Sequence, residues 1–371
     1  MSTQPVRPDR CGVLHLVWSG RIGGIELQVA AIVRHAAERG TFVHRVCLLD
    51  GQGPVGDALV AEGLAYRLGL RTGWDFVGLC RLWSLLRRLR PRIVHIHAHA
   101  VGANLIALVA LPHAVRVYTE HSPRSLGRDY KFLLLYTLLR RSISRFIALS
   151  PAMARAIEGY GVNRARMLVI PNAVSVPPRA PSAPRRGEPT VGIVARLEPQ
   201  KRVDLFVDTV AELRQRGVQC SGLVVGGGSR CADLKRQVHQ LGLINVIEFA
   251  GEQEDVVPWL DRMDVFLMSS ASEPYAVAAL EAMARGVPVV AMPCPGGLSD
   301  LVARGGLPLP DRAPETAATA VASLFESSEA RLELRARGEA MVVEHSLERV
   351  FAQLERLYLG LAGSPSREYT D

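Results

Sequence analysis

The sequence predicts an α/β protein of two facing Rossmann-like, doubly wound parallel-sheet domains, and three observations carry that reading. Apolar runs of strand length alternate with segments of helical period along most of the chain. A stretch rich in proline and basic residues, VSVPPRAPSAPRRGEP, interrupts the alternation near the middle, as an interdomain linker does. The length, 371 residues, exceeds what one hydrophobic core comfortably organises.

Taken in order, GVLHLVW reads as a strand, SGRIGG as a glycine loop and IELQVAAIVRHAAERG as a helix. FVHRVCLL, IVHIH, AVRVYTEH, RFIALS and MLVIP read as further strands, with VGLCRLWSLLRRLR, VGANLIALVAL and PAMARAIEGYG as the helices among them. Beyond the linker, TVGIVAR, SGLVVGGG, NVIEFAG, DVFLMSS and VPVVAM read as strands. Helices are expected over 203–216 and 233–241, near Trp259, and over 276–284. Short loops between alternating elements imply parallel strands covered on both faces. The expected boundaries are a first domain over 1–175, a linker over 176–189 and a second domain over 190–345. A C-terminal helix and tail over 346–371 would return to the first domain. Two such domains facing one another would make a cleft at the carboxyl ends of both sheets, where open α/β folds bind ligands.

Composition narrows the function. With 48% apolar and 22% charged residues and no apolar run of eighteen, the chain reads as soluble, without a spanning helix. MSTQPVRPDRCG carries no apolar run of signal length before the first strand, so the cytoplasm is expected. Six cysteines without a CxxC pair suggest neither a zinc site nor a disulfide framework. A net charge of +8 implies an anionic partner: nucleic acid, an anionic membrane surface or a phosphorylated substrate. No nucleic-acid-binding module is recognisable, so nucleic acid is not expected. The segment RDYKFLLLYTLLRRSISR, residues 128–145, joins apolar residues to a basic flank. It raises peripheral attachment to the inner face of the membrane, although a leucine-packed domain helix explains it as well.

Polar residues gather at predicted strand ends. In EPYAVAALE, Pro274 fixes φ and holds Glu273 extended just before a helix whose first N–H groups are unpaired. Glu281 lies two turns on, so two carboxylates flank an electropositive helix start suited to phosphate. An acidic residue complementing the helix dipole and one solvated glutamate explain these nine residues equally well. In VARLEPQKRVD, Arg196 ends a strand and Lys201 opens a helix across a turn containing Pro199. A guanidinium and an ammonium brought to one point fit a leaving diphosphate. In GGIE, Gly23 and Gly24 let backbone approach a ligand, or merely make a tight turn. Gly226, Gly227 and Gly228 form part of a nucleotide-binding turn without the full GxGxxG. In GGLSD, Asp300 is placed to cap the following helix. His95, His97 and His99 alternate onto one strand face and read as hydrogen-bonded structural histidines rather than metal ligands. His121, in TEH, sits at a mouth position where an imidazole can bond to a sugar hydroxyl.

Together and in this order, GGIE, IVHIHAH, TEH, ALSPAM, IPNAV, VARLEPQKRVD, VVGGG, EPYAVAALEAMARGVPVVA and GGLSD resemble the retaining glycosyltransferases of family 4, which have the glycosyltransferase-B fold. The resemblance spans nearly the whole chain. It implies that Arg196 and Lys201 bind a donor diphosphate, Glu281 the ribose hydroxyls, and Glu273 the donor sugar near its anomeric carbon. The backbone of Tyr275, Ala276 and Val277 would touch sugar or phosphate, with Gly226 in the same donor site. Gly23 and Gly24 would abut the diphosphate from the other domain, and His121 would contact the transferred sugar. It further implies a nucleotide-sugar co-substrate, a UDP-sugar before a GDP-sugar, with no metal and no other cofactor. The acceptor would be a hydroxyl of a glycan, a lipid-linked glycan or a small molecule, as in polysaccharide biosynthesis. A nucleotide-sugar epimerase of the same fold and a non-catalytic partner subunit are the rival readings. Two residues depart from the family pattern: Ala276 stands where Gly is usual, and Asp300 where Glu is usual.

Overall fold

A computed structural model describes residues 12–97, 100–121, 141–174, 187–273 and 275–363. His99, Pro274, nearly all of the predicted linker and residues 128–140 of the basic apolar segment lie outside the described residues. The chain forms two compact units, one of Met1–Asn172 with Leu347–Asp371, the other of Ala173–Ser346.

The first unit is built on a seven-stranded sheet of β1 (Val13–Val17), β2 (His44–Leu48), β3 (Ala65–Arg67), β4 (Ile93–Ile96), β5 (Val115–Thr119), β6 (Arg145–Ala148) and β7 (Met167–Val169). The order is β3-β2-β1-β4-β5-β6-β7, with every pairing parallel. All five residues of β1 are buried, as both faces of a parallel strand must be when helices cover the sheet. The covering helices are α1 (Gly24–Arg39), α2 (Pro54–Ala61), α3 (Phe76–Leu89), α4 (Val101–Ala110) and α5 (Pro151–Glu158). Local caps set their starts: Asp75 accepts from Gly78 N–H at 3.2 Å before α3, and Ser150 accepts from Met153 N–H at 3.2 Å before α5.

Sequence patterning passes straight from β2 to α3 and misses α2 and β3. A helix of eight residues and a strand of three are too short to display a period.

The second unit carries a six-stranded sheet of β8 (Thr190–Val194), β9 (Ser221–Val225), β10 (Ile247–Gly251), β11 (Val265–Met268), β12 (Val289–Ala291) and β13 (Leu307–Pro308). Its order is β10-β9-β8-β11-β12-β13, again parallel throughout. Around it lie α6 (Val203–Gln215), α7 (Cys231–Gln240), α8 (Val257–Leu260), α9 (Val277–Ala284), α10 (Gly297–Gly305), α11 (Pro314–Glu326) and α12 (Ser328–Glu344). Phe206, Val207 and Val210 of α6 join Val191, Ile193, Val224, Leu267 and Val290 of the strands in one core. The last helix, α13 (Leu347–Ala362), belongs to the first unit and packs on α1, with the Phe351 ring 4.8 Å from that of His35. Among the described residues no helix is long and apolar enough to cross a membrane.

Phe206 is fully buried at the centre of the second unit's core. Phe206→Ala should lower that unit's stability by about 3–5 kcal/mol, read as a shifted urea midpoint, because the cavity relaxes only in part.

Candidate active site

Both strand orders reverse direction at one place, between β1 and β4 in the first sheet and between β8 and β11 in the second. Chains leaving the carboxyl ends of those neighbouring strands diverge to opposite sides, opening a crevice in each unit.

In the second unit the loop after β8 carries Arg196, then a single 3-10 turn, Pro199–Lys201, before α6. The loop after β11 runs from Ser269 to Glu273. Hydrogen bonds stitch the two loops together. Ala271 N–H donates to Gln200 O at 2.8 Å, Ser269 Oγ donates to Lys201 O at 3.0 Å, and Gln200 Nε2 donates to Ser272 O at 3.3 Å. This stitching brings Lys201 and Glu273 together, with Nζ 2.5 Å from Oε2. Both side chains are largely withdrawn from water, at 14% and 8% exposure, so neither charge is tolerable there without the other.

Glu273 is held by its backbone as well. Its N–H donates to Pro295 O at 3.2 Å, and it bridges Gly296 in parallel. The Arg312 guanidinium braces the same loop, donating to Ser269 O, Ser270 O and Pro293 O at 2.6, 2.8 and 2.9 Å. Sequence reasoning misses Arg312 and Gln200, since a lone arginine or glutamine in a loop carries no spacing signal.

Arg196 is not part of that pair. It stands exposed on the same loop, its side chain making no hydrogen bond among the described residues. Its nearest carboxylate influence is Glu198, which Ser229 holds through N–H and Oγ at 3.1 and 2.8 Å. Those two bonds, aided by the charge of Arg196, hold the Glu198 carboxyl below its usual range. Gly226 adopts φ +135°, and a Cβ there would sit 2.0 Å from Ala195 O, so packing against the β8 loop itself demands glycine.

At the start of α9, Tyr275 turns its side chain inward, with its ring 5.9 Å from that of His345, so that this residue can offer a ligand only backbone. Ala276 is the N-cap at φ −85°, ψ 72°, the centre of an inverse γ-turn closed by Val277 N–H on Tyr275 O at 3.0 Å, a conformation open to L residues, so the methyl in place of hydrogen is compatible with this backbone. The helix itself begins at Val277, one residue later than expected. Glu281 is half-buried on α9 with no side-chain hydrogen bond among the described residues, and burial pushes its carboxyl up to about 7. Asp300 does not cap α10. That helix starts at Gly297 with Gly296 as N-cap, which leaves Asp300 exposed in the first turn beside the positive end of the dipole.

In the first unit, Gly23 is the extended N-cap of α1, and a Cβ on Gly24 would meet nothing within 4 Å. The loop before it is tied to the β2–α2 loop: Gly20 N–H donates to Gln52 O at 2.8 Å, and Gly56 N–H donates to Gly20 O at 3.0 Å. His121 follows β5, buried, with its Nε2 2.9 Å from Nδ1 of His97. His97 continues to His15, Nε2 to Nδ1, at 3.1 Å, and His15 Nε2 reaches His44 Nδ1 at 3.0 Å. His95 is held by Tyr358 Oη at 2.6 Å and Thr119 Oγ1 at 2.7 Å. His15, His95 and His97 lie close enough to share an ion, with ligand atoms within 4.8 Å of one another. Yet every ring nitrogen of the three already has a hydrogen-bond partner, which fits the expectation of structural histidines. Burial drives His15, His95 and His97 well below the usual imidazole range and His44 below it, so these rings are neutral.

Residues 22–176 match the profile of Glycosyltransferase Family 4, and residues 188–327 match that of Glycosyl transferases group 1. The chain belongs to the group 1, family 4 glycosyltransferases. This glycosyltransferase is 28% identical to the 2-deoxystreptamine glucosyltransferase of Streptomyces kanamyceticus over 78% of its own length and 84% of the relative's. It is also 28% identical to the 2-deoxystreptamine N-acetyl-D-glucosaminyltransferase of Streptomyces fradiae, over 76% and 77% of the two chains. HepE from Anabaena, solved in complex with UDP, shares the fold with a TM-score of 0.80 at 20% identity, over 94% of this chain and 99% of that one. The glycosyltransferase-B architecture and the transferase class expected from the motifs therefore both hold.

The elevated Glu281 carboxyl has a thermodynamic consequence. Its folded value, about 7, lies above the unfolded one, so the folded state binds the extra proton between about pH 4.5 and 7. Stability from this group is complete below that window and is lost as pH rises through it, by at most about 1.4 kcal/mol per pH unit. Glu281→Gln should therefore gain melting temperature relative to the parent at pH 8 and show little difference at pH 4.5, as measured by thermal denaturation at both pH values.

Proposed function

We propose that this glycosyltransferase moves a hexose or N-acetylhexosamine from a nucleotide sugar to an acceptor hydroxyl, with retention of configuration and without a metal ion. The observation that carries the reading is the Lys201–Glu273 pair, held where the β8 and β11 loops are stitched together, with the Arg196 guanidinium exposed on the same loop.

The chemistry follows from what each group can do. An ammonium has three donors, so Lys201 can keep Glu273 and still meet a phosphate oxygen. Its position is fixed by the carboxylate before any ligand arrives, which is the preorganisation that a developing charge rewards. Arg196 adds a planar fork for a second phosphate oxygen. In the reaction the bond between the anomeric carbon and the diphosphate oxygen breaks, and its electron pair leaves on the phosphate. The acceptor oxygen bonds to the same face of the carbon, and its proton passes to that phosphate oxygen. Arg196 and Lys201 stabilise the departing negative charge, the role a metal ion fills elsewhere. Glu273 faces the positive charge that grows on the sugar. Glu281 suits a ribose diol, because two O–H donors would relieve a carboxylate now lacking any.

Relatives guide the choice of substrates. Among relatives covering three quarters or more of this chain are a 2-deoxystreptamine glucosyltransferase, a 2-deoxystreptamine N-acetyl-D-glucosaminyltransferase and a glycogen synthase. HepE has been solved with UDP-glucose. UDP-glucose and UDP-N-acetylglucosamine are accordingly the first donors to test, GDP-sugars the next, and 2-deoxystreptamine, glycans and lipid-linked glycans the acceptors.

Arg196→Ala and Lys201→Ala should each lower kcat/KM by about ten- to a hundredfold, the loss of one charge-assisted bond of about 1.5–3 kcal/mol. NMR of the product should show the donor's anomeric configuration retained, and chelator should leave the rate unchanged. Undiminished transfer by both variants would sink the assignment, and donor conversion without any acceptor would indicate an epimerase instead.

A further inference from the structure

At the amino edge of the first unit's sheet, three helices finish around a cavity of about 720 Å³. Its walls come from the chain between α3 and β4, the chain between α4 and β5, and the end of α13. Arg92 directly precedes β4 and Ala114 directly precedes β5, so the cavity lies at the edge opposite the β1/β4 crevice. At about 3.3 Å per residue, the four residues of β4 set the two roughly 13 Å apart.

Arg87, Arg90 and Arg92 line this cavity, and among the described residues no acidic one does. Leu111, Val115 and Leu361 supply apolar wall. Each of the three arginines donates to a main-chain carbonyl: Arg87 to Ala110 O at 3.5 Å, Arg90 to Arg87 O at 3.3 Å and Arg92 to Ala362 O at 2.7 Å. Behind the wall, buried Arg116 of β5 donates to Leu108 O and Leu111 O, and its Nε has no partner among the described residues. A guanidinium carries five N–H donors, so most of those lining the cavity are left over.

Helix capping accounts for only part of this charge. Three helix C-termini bring roughly −0.5 each, so four guanidiniums leave a surplus of about +2.5 around the cavity. Backbone conformation points the same way. Arg90 ends α3 in the left-handed region, at φ 43° and ψ 53°, where glycine sits without steric cost. The cap bond there comes from its backbone N–H to Leu86 O at 2.9 Å, so capping does not call for this side chain.

We propose that this cavity is a second binding site, for an organic phosphate, in which Arg87, Arg90 and Arg92 hold the phosphate oxygens while Leu111, Val115 and Leu361 cover the organic part. Planar guanidinium forks match phosphate oxygens, and the volume falls within the range of about 300–1,000 Å³ typical of small-molecule sites. A soluble phosphate ester and a phospholipid headgroup carry the same chemistry. The site stands apart from the transferase reading and does not depend on it.

The test uses phenyl phosphate, titrated calorimetrically into the full chain. The parent should bind it, and Arg90→Gly should bind about ten- to a hundredfold more weakly, the loss of one charge-assisted contact. Glycine suits the left-handed turn, so that variant should still fold. Arg87→Gln, which keeps a donor for Ala110 O, should weaken binding as well. Arg196→Ala, altered in the second unit, should retain the binding that Arg90→Gly loses. Co-sedimentation with phosphatidylcholine vesicles separates the sources: pelleting that needs both added phosphatidic acid and Arg90 assigns the phosphate to a lipid, and its absence beside calorimetric binding assigns it to a soluble ester. The proposal is overturned if neither phenyl phosphate nor phosphatidic acid binds the parent, if both arginine variants bind as the parent does, or if Arg196→Ala abolishes the binding. Benzoate bound more tightly than phenyl phosphate would overturn it in favour of a carboxylate ligand.

Discussion

Each unit is organised by a constraint of parallel sheets: every strand must leave by the same edge. Antiparallel hairpins scatter strand ends over two edges, whereas a parallel sheet sends all its carboxyl ends to one. Where the order reverses, at β1/β4 and at β8/β11, two neighbouring chains turn to opposite sides and open a crevice. The backbone there must be satisfied by other loops, because neither sheet nor helix reaches it. In the second unit the β8 and β11 loops do this for one another, and Arg312 supplies three further donors to the carbonyls left over. The polar cluster of Lys201 and Glu273 is thus placed by backbone bookkeeping as much as by its own attraction.

Two glutamates of one short segment show how environment divides their roles. Glu273 is the more deeply buried, yet it is compensated by an ammonium at 2.5 Å. Glu281 is only half-buried but has no such partner, and its carboxyl rises to about 7. A carboxylate already paired can face a growing positive charge without reorganising, while one without donors gains most from a ligand that brings hydroxyls. The first unit treats its buried polar groups differently, with rings bonded to one another. Desolvation forbids a row of imidazolium ions there, so hydrogen bonding between neutral tautomers is what lets five histidines share one interior.

Much of this was legible from residues alone. Apolar runs located eleven of the strands that build the two sheets, because buried parallel strands are continuously apolar. EPYAVAALE and VARLEPQKRVD announced a charged site because both follow such runs, and the structure joins Lys201 to Glu273 as two loops of one switch point. His95 and His97 were readable as hydrogen-bonded, but their partners were not. His15 and His95 are brought side by side by the β1/β4 register, and Tyr358 arrives from more than two hundred residues away to hold His95. Long-range pairing of that kind leaves no trace in local periodicity. The same holds for Asp300, which reads as a cap only if the helix start is misplaced by four residues.

Glycine is where sequence and structure part most usefully. A strand-end glycine has two readings, a ligand approaching the backbone or a neighbouring loop doing so. At Gly226 the second is decisive: φ +135° and a would-be Cβ 2.0 Å from Ala195 O compel glycine with no ligand in view. Gly228, at φ +153° with Leu197 O 2.6 Å from its would-be Cβ, repeats the case. Both press on residues 195–197, the stretch that carries Arg196, so the triplet acts as a backstop that fixes where the guanidinium's backbone lies. Gly24 is the opposite: its φ is ordinary, and nothing stands within 4 Å of the position a Cβ would take. Neither conformation nor packing asks for glycine there. An open helix start is left, at which a methyl group would matter only to something that comes to bind.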